Sequence, residues 1–152
     1  MLTPKRFIPF RRIAIPVIGH TLPPNALNLA RELGGEITLY PLSSSPHGER
    51  VHSPRQKRKE LSKWQESIGP NVHIQVLPES AGWPSLRQYL ESDLPDLLLL
   101  EIPYHFQGAF TLHEVLSSTP CNLALIRGPW PEHYGNVLLP LRGGPHAELS
   151  LR

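Results

Sequence analysis

A chain of 152 residues points to one domain, and at 39% hydrophobic it has the material for a packed core. Its net charge of +2 is too small to demand a nucleic-acid or membrane partner, and one cysteine, Cys121, excludes an internal disulfide and a Cys-rich zinc site. No apolar run reaches the ~18–20 residues that span a bilayer. A reducing, cytoplasmic compartment is the simplest expectation.

The first eleven residues, MLTPKRFIPFR, form a basic leader without the apolar core of a secretory signal. Lys5, Arg6, Arg11 and Arg12 are mixed with Phe7, Ile8 and Phe10. Two readings stand: a solvated leader, or a segment just inside the cytoplasmic face of a membrane protein, where basic residues concentrate.

Residues 12–17, RIAIPV, read as a first strand. Pro23 and Pro24 suit the first turn of a helix whose apolar face carries Leu27, Leu29, Ala30 and Leu33. Gly34-Gly35 closes it, and 36–42, EITLYPL, is a second strand. This β-α-β unit implies a parallel sheet.

A Ser/Pro/His/Gly loop follows at 43–54, then a helix to about residue 68 with Leu61, Trp64 and Ile68 on one face. Its basic start, Arg55, Lys57, Arg58 and Lys59, lacks interleaved aromatics and reads as a solvated face rather than a nucleic-acid contact. Residues 72–77 make a third strand near a sheet edge. Trp83, Leu86, Leu90 and Leu94 mark a third helix, with Pro84 in its first turn.

Residues 96–102, DLLLLEI, form a fourth strand, apolar at nearly every position and so covered on both faces. The loop behind it begins at Pro103 and sits where an open α/β sheet binds its ligand. A short helix at 111–118 carries Leu112, Val115 and Leu116, and a fifth strand ends at Arg127. The expected domain is thus 12–128, followed by a linker at 129–135.

The tail 136–152, NVLLPLRGGPHAELSLR, echoes the first strand and helix. Pro16 matches Pro140, Val17 matches Leu141 and Gly19 matches Gly143. With a two-residue gap, Pro23 matches Pro145, Leu27 matches Leu149 and Leu29 matches Leu151. The tail reads as the opening strand and partial helix of a second, truncated repeat; a C-terminal strand padding the first domain is the alternative.

Taken together, RIAIPV, HEVLSSTPCNLALIRG and the restart NVLLPLRGGPHAELSLR resemble the universal stress protein A family over most of 12–127 and the tail. The resemblance implies a five-stranded parallel sheet in the order 3-2-1-4-5 with helices on both faces. It also implies pairing through the fifth strand, at Leu123, Ala124, Leu125 and Ile126, as a homodimer or a tandem pseudo-dimer. Some copies in the family are fused to the cytosolic end of transporters, which fits a basic leader.

ATP-binding members resembling this chain carry Gly-x2-Gly-x9-Gly-[Ser/Thr] after the fourth strand. Glycines let backbone N–H groups approach the phosphates, and the hydroxyl adds a donor. Aligned back from Pro120, the Gly-Ser pair falls on Ala109-Phe110, and the loop before it holds one glycine, Gly108. The acidic residue that such members place after the first strand falls on Ile18. No cofactor is therefore expected, ATP included.

Other chemistry is weaker. Gly19-His20 lacks the second histidine of a nucleotidyltransferase site, since position 17 is Val17. His105 and His113 are eight residues apart with only Glu114 nearby as a third metal ligand. His47 and His52 read as loop residues, and Ser43–45 and Ser117–118 have no visible base. Cys121 reads as core. Glu101 is the acid placed to reach the crevice, with Arg12 or His20 as partners to test.

The expectation is a non-catalytic regulatory or interaction domain of universal stress protein type. Its rival is a sensor that binds a nucleotide or small ligand in an altered crevice lined by His20, Glu101, Tyr104 and His105.

Overall fold

The computed structural model describes residues 10–42, 54–77 and 82–128, and side chains within 54–58 are not described. Most of the leader, the linker at 129–135 and the tail at 136–152 lie outside the described residues. So do His47, His52 and Ser43–45, and of Arg55, Lys57 and Arg58 only the helical backbone is described.

Five strands form one parallel sheet: β1 (Arg12–Ile18), β2 (Glu36–Leu42), β3 (Val72–Ile74), β4 (Leu97–Ile102) and β5 (Asn122–Arg127). Their order is β3-β2-β1-β4-β5, as the resemblance implied. The helices are α1 (Pro24–Leu33), α2 (Pro54–Ile68), α3 (Trp83–Asp93) and α4 (Leu112–Ser118), with a 3-10 turn at Tyr104–Phe106.

Side-chain alternation sorts the strands onto two cores. Ile13, Ile15, Val17, Ile37, Leu39, Leu97 and Leu99 pack one face against Ala26, Leu27 and Ala30 of α1, with Trp64 and Ile68 of α2. Ala14, Tyr40, Leu42, Leu98 and Leu100 pack the other against Trp83, Leu86 and Leu90 of α3, with Phe110 and Val115. Burial on both faces is why the fourth strand is apolar at every position but Glu101.

Local signals hold at most ends. Pro24 opens α1, and Gly34 ends it in the left-handed conformation, at φ 75°, with its N–H on the Ala30 carbonyl. Gly35 is needed for a different reason: a Cβ there would stand 2.5 Å from the Phe10 carbonyl oxygen.

Three expectations need correction. β3 spans three residues, not six, although Gln75 N–H still donates to the Leu39 carbonyl at 2.9 Å. Of the apolar residues of α4, only Val115 is buried; Leu112 and Leu116 are exposed. Cys121 is half-buried rather than core.

Candidate functional site

In a parallel sheet, β1 and β4 are the strands between which the order reverses, and their C-terminal ends should part to admit a ligand. They do part. The β1–β2 ladder runs the length of both strands, from Arg12 opposite Glu36 to Ile18 opposite Leu42. The β1–β4 ladder holds only Ile13 opposite Leu97 and Ala14 opposite Leu98.

Backbone groups on the β4 side of β1 still need partners. At the lower end the Arg12 carbonyl accepts from Asp96 N–H at 2.8 Å. Pro16 brings no N–H to continue the ladder. Instead its carbonyl meets His105 Nε2 at 2.7 Å. The other ring nitrogen, Nδ1, lies 2.7 Å from Glu101 N–H.

An amide N–H only donates and a carbonyl only accepts, so these contacts fix the imidazole. It is neutral, with its proton on Nε2. His105 is wholly buried and acts as a surrogate rung between β4 and β1. Burial holds its pKa below the ordinary histidine value, against the opposing pull of the Pro16 and Glu101 backbone bonds.

One residue pair further along β1, Tyr104 does the same. Its hydroxyl accepts from Ile18 N–H at 2.8 Å. It also lies 3.0 Å from the Ile18 carbonyl and 2.5 Å from that of Thr21. Burial pushes the Tyr104 phenol up to about 12. Ile18, where the resemblance would put an acid, therefore spends its main chain on Tyr104.

Glu101 closes the crevice from the side of α1. Neither Pro23 nor Pro24 offers a side-chain cap, so the first N–H groups of α1 need an outside acceptor. Glu101 Oε2 accepts from Asn25 N–H at 3.0 Å and Ala26 N–H at 3.2 Å. Its Oε1 accepts from Asn25 Nδ2 at 2.6 Å. A carboxylate thus occupies the N-terminus of a helix, the place where a phosphate is otherwise stabilised.

The back wall is Phe110, which is 4% exposed. Its ring meets Trp83 edge-on, centroids 5.5 Å apart, and lies parallel to the His105 ring at 6.4 Å. Trp83 in turn donates from Nε1 to Ser118 Oγ at 2.8 Å, tying α3 to α4. Gly108 and half-buried Ala109 form the short lead into Phe110.

Of the four residues expected to line the crevice, Glu101, Tyr104 and His105 converge there. His20 does not: its Nδ1 sits 3.0 Å from Glu60 on the surface. Glu101 is bound to Asn25 and Ala26 rather than to Arg12 or His20. Arg12 reaches the Asp93 carbonyl at the opposite end of the sheet. His113 is exposed and His105 has both nitrogens in use, so the two do not form a metal pair. Among the described residues, no three His, Cys, Asp or Glu side chains gather to hold a metal.

Pro16, Thr21 and Asn25 are the members that sequence reasoning missed. Asn25 after two prolines was the available signal, because that helix start lacks its own cap. No buried side-chain polar atom among the described residues lacks a partner.

No protein-family model matches the chain, and no curated protein matches it. Solved structures do. A universal stress protein in complex with cAMP is similar at 8% identity and a TM-score of 0.51, over 77% of this chain and 96% of that one. A universal stress protein from Archaeoglobus fulgidus is similar at 15% identity and a TM-score of 0.50, over 76% and 92%. With the strand order 3-2-1-4-5, these likenesses give the chain the fold of the universal stress proteins.

Proposed function

We propose that this domain is a non-catalytic regulatory or interaction module of universal stress protein type that does without canonical ATP binding. The observation that carries the reading is the filled crevice. Where the fold would seat a nucleotide, Glu101, Tyr104 and His105 bond to the chain's own backbone, and Phe110 takes the volume of a small donor residue. The cAMP of one neighbour belongs to that neighbour. A phosphate arriving at the N-terminus of α1 would meet the Glu101 carboxylate there.

The working surface is then the outer edge. Among the described residues β5 ends the sheet and has one strand neighbour, which leaves its far side as the edge where a partner strand could add. Leu125 is exposed on it, and Leu112 and Leu116 stand exposed on α4, the helix leading into it. The module works as a dimer, or as half of a tandem pair, through Leu123–Ile126.

Light scattering tests this pairing. The expected result is a dimer whose association is weakened tenfold or more by Leu125→Lys, a loss of about 1.4 kcal/mol or more. A wild-type chain that stays monomeric at high concentration would refute the pairing.

A further inference from the structure

His105 does more than fill space. Among the described residues it is the link in the β1–β4 zipper whose bonding depends on a proton that water at mild pH can supply. Glu101 N–H needs an unprotonated Nδ1, and the Pro16 carbonyl needs a protonated Nε2. Only the neutral ring serves both.

We propose that His105 is an acid-sensitive lock on the crevice between β1 and β4, closed by the neutral imidazole and released when the ring takes a second proton. Protonating Nδ1 turns an acceptor toward the buried Glu101 N–H into a donor. The Glu101 carbonyl, 3.3 Å from Nδ1, is placed to take the new proton, but the Glu101 N–H is then left without a partner. The rung exchanges the 2.7 Å bond from Glu101 N–H for a longer one to the Glu101 carbonyl, and the β4 end loosens. Tyr104, the next residue back, loses the anchor that holds its hydroxyl on Ile18 and Thr21.

The surroundings decide the direction. Glu101 at the end of β4 and Tyr104 in the 3-10 turn are the titratable groups that face the ring. β1 brings Pro16 and the segment before α4 brings Phe110, and neither titrates. The Glu101 carboxylate favours the cation, but its oxygens are committed to Asn25 and Ala26, and burial outweighs it. The locked state therefore binds the second proton less readily than the open one. Its excess over the open state is full above the ordinary histidine pKa and falls, by up to about tenfold per pH unit, from about 6.5 down to the lowered pKa of the locked ring.

Amide hydrogen exchange on the whole chain, followed by NMR from about pH 7 to about pH 5, tests the lock. Protection of the Glu101 and Ile18 amides, corrected for intrinsic exchange, should fall as the pH drops below about 6.5, by up to about tenfold per unit. The Ile37 amide, bonded to the Asn71 carbonyl on the other side of the sheet, should hold. In His105→Gln, whose amide can accept from Glu101 and donate to Pro16 at any pH, the fall should vanish. A fall shared equally by Ile37, or one that persists in the Gln variant, overturns the lock. Should that variant misfold, the wild-type ring decides. If Nδ1 protonates as Glu101 loses protection, the lock stands. Should Glu101 stay protected at the acid end, it falls.

Discussion

The Phe110 ring stands between Trp83 and His105 and closes the crevice that Glu101, Tyr104 and His105 fill with hydrogen bonds. Removing it should leave a cavity that the flanking rings cannot close, because each is fixed by its own bond, Trp83 to Ser118 and His105 to Pro16. Phe110→Ala is therefore expected to cost about 3–5 kcal/mol, read from the urea midpoint at unchanged slope. A cost under about 1 kcal/mol would mean that the wall is loosely packed. The apolar character of Phe110 was legible in the sequence, because it is a property of one residue. The rung through His105 was not. It joins residues 89 apart and depends on the path of the chain from Pro103 to Phe106. His20 was misplaced for the same reason: its partner, Glu60, comes from another element.

At the scale of elements, boundaries set by proline and glycine were the legible ones. Pro24, Pro84 and Gly34 act through their own backbone geometry, which needs no neighbours. The end of α3 is different. Leu94 takes the left-handed conformation, φ 48°, and its N–H caps the Leu90 carbonyl. The side chain is 61% exposed, so little burial repays the backbone cost. Leu94→Gly should raise stability by about 1 kcal/mol, visible as a higher thermal midpoint. A lower midpoint would show that the leucine contributes through packing. The α4 start was partly legible: Thr111 and Glu114 form a capping box, with Thr111 Oγ1 accepting from Glu114 N–H and the Glu114 carboxylate accepting from Thr111 N–H at 3.0 Å. The exposure of Leu112 and Leu116 was not, because a spacing of apolar residues says which face they share but not whether anything covers it.

Across the whole molecule, the parallel sheet followed from the β-α-β order and the both-sided burial of the fourth strand, and the strand order from the family resemblance. What the chain does with its switch point depended on contacts between distant segments. There the fold opens a crevice, as the end of the short β1–β4 ladder shows, and the chain's own side chains fill it. That self-occupancy is the central claim, and titration calorimetry of the purified chain with ATP near neutral pH tests it most directly. The account predicts no binding tighter than millimolar. ATP binding at micromolar affinity would contradict it, since Glu101, Tyr104, His105 and Phe110 would then have to leave positions where every buried polar side-chain atom is paired.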